Sequence, residues 1–161
     1  MALKIKRLNH RAWPVTVTLQ ESDDNGVVTA TEQTFVAHFK PVTEEEREAI
    51  TAKVNEKYPL PKDGERDDMR VVLARNAEYF SHLVVGWGDD VQNEDGTPTP
   101  FTQAALTALV TGPDGLAISQ AMVRADNEIR FGVAPAKNFK TSPAHGEISG
   151  AVEVATSLPT I

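Results

Sequence analysis

Residues 84–109, VVGWGDDVQNEDGTPTPFTQAALTAL, leave the backbone little freedom. Asn93, Glu94, Asp95 and Gly96 read as a tight turn, because Asn and Asp bond back to their own backbone and Gly accepts positive φ. Pro98 and Pro100 stiffen the chain and push the residues before them toward extended geometry. Thr102 then stands where an N-cap belongs, with its hydroxyl free to accept from a first-turn amide. Phe101 precedes it at the position of a hydrophobic staple to Leu106. The expectation is a chain that leaves one helix at Trp87, makes a defined loop through Asp90 and Asp95, and enters a second helix at a fixed angle. Trp87 and Phe101 are the expected apolar clamps of that loop.

Upstream, the pattern is that of strands. Residues 3–7 alternate apolar and basic and predict a short edge strand. In 13–19 (WPVTVTL), Trp13, Val15, Val17 and Leu19 recur with period two and point one way. The turn formers ESDDNG follow, ending in Asn25-Gly26, a strong hairpin signal between strands. Residues 27–39 supply the partner, with Phe35, Ala37 and Phe39 on one face. A lone hairpin is marginal in water, so it must pack on something.

Helical spacing takes over after Pro41. Thr43 and Glu46 form a capping box, and Glu44, Glu45 and Glu46 suit the positive end of a helix dipole. This helix is expected to reach Lys57, with Ala49, Ile50 and Val54 as its core stripe. From Asp67 or Asp68 a longer helix carries Met69, Val72, Leu73, Ala77, Phe80, Leu83 and Val84 at spacings of three and four, with Gly86 as its stop. A short helix over 103–110 ends at Gly112-Pro113. Asp114 is placed to cap a last helix to Arg130, carrying Leu116, Ile118, Ala121, Met122, Ala125 and Ile129, with Gly132 to terminate it. The predicted class is α+β: a small N-terminal antiparallel β-hairpin or sheet (1–41), then about four helices in a bundle (42–132) that form one compact domain with it. An irregular C-terminal tail (133–161) is expected to have little structure of its own. Within that tail, 148–154 is a weakly apolar segment suited to pairing with a sheet edge or a neighbouring subunit.

Composition removes several functions. The 161 residues suffice for a core without staples, and there is no cysteine for a disulfide, a thiol nucleophile or a cysteine metal site. A net charge of −7 lacks the electrostatic footprint of nucleic-acid binding. No run approaches the roughly 18 apolar residues of a membrane span, and MALKIKRLNH has no apolar core of signal-peptide length, so a soluble cytosolic protein is expected. The four histidines are scattered singly, which supports no zinc site. The acidic loop fails the calcium-loop register: with Gly96 as the sixth position, the first is Val91 and the twelfth is Thr102 rather than Glu. No phosphate loop, nucleophile elbow or dinucleotide fingerprint is present. Neither an enzyme nor a bound cofactor or metal is expected.

The run Phe35-Val-Ala-His-Phe39-Lys40, the capped glutamate-rich helix after Pro41-Val-Thr43, and Val85-Gly86-Trp87 with its acidic residues form one arrangement along the chain. Together with Asn93 to Gly96, Pro98, Pro100, Phe101, Thr102 and the helix through Leu106 and Leu109, it resembles the tail assembly chaperones of long-tailed bacteriophages. The resemblance covers roughly 13–131 and is one of pattern; the connector at 59–68 and the chain beyond about 140 depart from it. It implies a non-enzymatic protein of the bacterial host cytoplasm that binds the tape-measure protein, helps recruit tail-tube subunits, and is absent from the mature virion. Self-association is compatible with it. The alternative is a structural virion protein: a neck, tube-associated or decoration subunit.

Overall fold

The alternation of Trp13, Val15, Val17 and Leu19 becomes strand β1 (Arg11–Ser22), which turns all four toward the core. Its partner β2 (Val28–Phe39) runs antiparallel, in register from Arg11 opposite Phe39 to Ser22 opposite Val28, and buries Phe35, Ala37 and Phe39. The computed structural model describes residues 1–5 and 8–133. Between the strands, the Asp23 carboxylate accepts from the amides of Asn25 (2.8 Å) and Val27 (2.9 Å), and Gly26 takes φ 77°. Asn25-Gly26 thus marks the turn, in a loop long enough to take Val27 out of the strand where it was expected.

The edge strand expected at 3–7 is not formed over residues 3–5, whose Leu3 and Ile5 are exposed; Lys6 and Arg7 lie outside the described residues. With no apolar face to cover, those side chains gain nothing from pairing.

A second departure matters more. The helix expected to run through Val84 ends at Leu83, giving α2 (Met69–Leu83), and the next four residues are strand β3 (Val84–Trp87). β3 pairs antiparallel with β2, Ala37 opposite Trp87 and His38 opposite Gly86, which gives the described residues a sheet of order β1-β2-β3. Val84, Val85 and Trp87 suit a strand, and pairing satisfies β2 backbone groups that a helix would leave open. Gly86 is therefore no helix stop. It faces the His38 ring, where an added Cβ would stand 3.1 Å from Nδ1.

Among the described residues, four helices follow the hairpin: α1 (Glu44–Lys57), α2, α3 (Gln103–Thr111) and α4 (Gly115–Phe131). α4 lies against β1, α3 against α2 and α4, and α1 against α2. One core joins Val15, Phe35 and Phe39 of the sheet to Phe80, Leu106, Val110 and Met122 of the helices. The arrangement is α+β, as the sequence pattern predicts. The capping box is complete: Glu46 N donates to Thr43 Oγ1 (3.1 Å) and Thr43 N donates to the Glu46 carboxylate (2.7 Å). Thr43→Ala is expected to lower stability by about 1 kcal/mol in urea melts, with an unchanged denaturant slope.

Several core assignments shift. Ala49 is exposed, and α1 buries Arg47 and Val54 instead, with Ile50 half-buried. Met69 and Leu116, at helix starts, are exposed. Asp114 makes no side-chain cap; what fixes that corner is Gly115, where a Cβ would lie 2.0 Å from the Val110 carbonyl oxygen. Only glycine permits so close a crossing of α3 and α4. Gly132 ends α4 with φ 67°, as expected of a left-handed C-cap. The tail expected from residue 133 lies, beyond Val133, outside the described residues.

Candidate functional site: the loop from Trp87 to Thr102

Trp87 enters the loop from β3, not from a helix, so its direction is set by pairing with Ala37. The Trp87 ring meets Phe101 edge-to-face at 4.9 Å, and its indole N–H donates to the Thr99 carbonyl at 2.7 Å. The two aromatics do clamp the loop ends. Phe101 is half-buried and packs on the core that contains fully buried Leu106.

The loop folds back on itself as a small hairpin. Asn93 N donates to Thr97 O (2.8 Å), Gly96 N to Asn93 O (2.9 Å) and Thr99 N to Val91 O (2.8 Å), with Gln92 bridged to Pro98. Gly96 has φ 81°, the left-handed conformation the turn requires. Asn93 ties the two arms, donating from Nδ2 to Thr97 Oγ1 and accepting at Oδ1 from Thr99 Oγ1, both at 3.0 Å. Pro98 and Pro100 are exposed and hold the return arm extended. Thr102 Oγ1 accepts from Ala105 N at 2.9 Å and opens α3.

Two of the loop's carboxylates, Asp90 and Asp95, are committed to this framework. Asp95 Oδ1 accepts from Thr97 Oγ1 (2.6 Å) and Thr97 N (2.9 Å). Asp90 reaches back to β2 and accepts from Val36 N at 2.8 Å, occupying the strand edge where β3 has ended. That long-range role was not foreseen from the spacing of acidic residues. Among the described residues, no group of three or more His, Cys, Asp or Glu is disposed to hold a metal ion.

The hydroxyl and then the amide of Thr97 hold the Asp95 carboxyl below its ordinary range. A folded-state pKa below the unfolded value means that this contribution to stability is complete above the ordinary carboxylate range. It is lost as pH falls through the lowered value. The Thr97 amide is therefore expected to lose exchange protection on acidification below about pH 4, and earlier than amides of the Phe80 helix core. Co-loss with the core would tie the loop to global unfolding instead.

A second polar cluster escaped sequence reading. Arg47 and Asp126 are both buried, 8% and 6% exposed, and Arg47 Nη1 donates to Asp126 and to Tyr79 Oη. Tyr79 Oη donates in turn to Asp126 (3.1 Å), and Trp13 Nε1 donates to buried Glu128 (3.0 Å). Burial, followed by the Asp126 charge, raises the Tyr79 phenol above its ordinary pKa. Burial opposes the charge on Arg47, yet Asp126 and Tyr79 leave its pKa raised. The available signal was spacing: residues 47, 50 and 54 lie on one helical stripe, as do 122, 126 and 129.

Compared with known proteins, the chain matches no family model, no curated protein and no solved structure.

Proposed function

We propose that this chain is a non-enzymatic assembly chaperone of a long-tailed phage. It binds the tape-measure protein and helps recruit tail-tube subunits in the host cytoplasm without remaining in the virion. The observation that carries this reading is spatial. The segments that bear the resemblance, Phe35 to Lys40 and Val85 to Thr102, lie far apart in sequence yet form one unit through the Ala37–Trp87 pairing and the Val36–Asp90 hydrogen bond. Exposed Val123, Phe131 and Val133 supply apolar surface around a depression of 370 Å³, of the kind an amphipathic helix buries. No described helix is long and apolar enough to cross a membrane.

Co-expression with a tape-measure protein is expected to keep that partner soluble and to give a complex on pull-down. Purified virions are expected to lack the chain. Its presence there in fixed stoichiometry would favour the structural-subunit alternative.

A further inference from the structure

The inward-facing set of β1 begins with a cation. Arg11 stands opposite Phe39 in the last pair of the β1–β2 ladder, and residues directly opposite each other share a face of the sheet. Phe39 is buried in the core, whereas Arg11 is exposed. The Arg11 side chain therefore belongs to the helix side of the sheet, at its open end. There the start of α1 and the end of α4 leave a cleft of 200 Å³.

Among the described residues, four cations line this cleft, Arg11, Lys40, Arg47 and Arg130, against two carboxylates, Glu44 and Asp126. On a chain of net charge −7, that is a local reversal of sign. Both carboxylates are already engaged. Arg47 pairs with Asp126, and Arg130 donates to the two oxygens of Glu44 at 2.8 and 2.6 Å. Of the three first-turn glutamates of α1, Glu44 alone lines the cleft. The exposed side chains of Arg11 and Lys40 have no hydrogen-bond or ion-pair partner among the described residues. Arg47 has a donor to spare as well. Its Nε is closed to solvent and makes no hydrogen bond among the described residues, with Glu44 3.9 Å away. Buried donors are normally satisfied, so the lining is short of an acceptor. Phe39 and Ile129 add apolar walls, and charges of one sign between low-dielectric walls focus their field on what enters.

We propose that this cleft binds a phosphate group, free or as a monoester, recognised by Arg11 and Lys40 in the field of Arg47 and Arg130. The two cations left without carboxylates match a dianion, where a lone carboxylate would cancel only one of them. A guanidinium presents a fork that suits phosphate oxygens, and an ammonium supplies a compact charge beside it. No residue of the Trp87–Thr102 loop lines the cleft, so the site is independent of the assembly role.

NMR titration of the full chain at constant ionic strength tests it, with inorganic phosphate as the probe and chloride as the balancing ion. Saturable shifts are expected at the Arg11, Lys40 and Arg130 amides, with the Thr97 and Thr102 amides of the loop unmoved. The Arg11→Met, Lys40→Met double variant is expected to bind phosphate at least about tenfold more weakly, having lost two charge-assisted contacts. Both residues are exposed, so its spectrum is expected to keep the dispersion of the wild type. Acetate is expected to bind at least about tenfold more weakly than phosphate at about pH 8, where a phosphate group carries close to two charges. Phenyl phosphate separates the two sources: its binding admits a monoester and its exclusion leaves free phosphate, and either supports the site. Shifts that never saturate, equal affinity in the double variant, or acetate binding as tightly as phosphate would each overturn the proposal.

Discussion

Trp87→Ala is expected to cost about 3–5 kcal/mol of folding stability, the range for truncating a large buried aromatic. Trp87 is 8% exposed and holds three connections at once: the backbone pairing with Ala37, the edge-to-face contact with Phe101, and the hydrogen bond to Thr99. Truncation removes the last two and leaves a void between β3 and the return arm of the loop. Trp87→Phe separates the effects, since it keeps most of the apolar volume but loses the indole N–H. The Thr99 bond alone is expected to account for about 1 kcal/mol. Urea titration followed by circular dichroism reads both variants. An unchanged midpoint for Trp87→Ala would take Trp87 out of the core. Unchanged stability together with lost pull-down of the tape-measure protein would make it a partner contact instead.

Asp126→Ala is expected to cost a similar amount, about 3–5 kcal/mol, for a different reason. It leaves the Arg47 guanidinium buried with Tyr79 Oη and a distant carboxylate, Glu44 at 3.9 Å from Nε. Glu44 is itself engaged by Arg130, which donates to its two oxygens at 2.8 and 2.6 Å. Removing both members of the buried pair is expected to be far milder. The Arg47→Met, Asp126→Leu double variant should recover most of the loss, because no uncompensated charge remains. If Asp126→Ala melts within about 1 kcal/mol of the wild type, water must reach Arg47 and the cluster is not a desolvated one. The Tyr79 phenol offers an independent readout. Its raised pKa owes part of its shift to the Asp126 charge, so Asp126→Asn is expected to move the phenol titration downward.

Local chemistry was legible at most places where it acts within a few residues, the expected Asp114 cap being the exception. Thr43 with Glu46, Thr102 with Ala105, Asp95 with Thr97, and the left-handed Gly96 and Gly132 all lie within one turn of their partners. The inward set Trp13, Val15, Val17 and Leu19, and its counterpart Phe35, Ala37 and Phe39, follow from a period of two. What sequence reasoning missed are decisions made by distant partners. Val84, Val85, Gly86 and Trp87 extend a helical pattern of apolar residues, and only the unpaired edge of β2 draws them into a strand. Asp90 reads as one more acid in a polar loop until Val36, 54 positions away, supplies an amide. Arg47 and Asp126 sit 79 positions apart, and Trp13 and Glu128 115 apart. A charged residue on an apolar stripe normally faces solvent, because burial costs several kcal/mol unless a partner compensates it. The sequence by itself determined the caps at Thr43, Thr102 and Gly132, the turns and the faces of the hairpin, since those free energies are settled by neighbours along the chain. Tertiary structure alone decided where α2 stops, which charges are buried and which strand edge Asp90 closes, since each depends on a group that only folding brings within bonding distance.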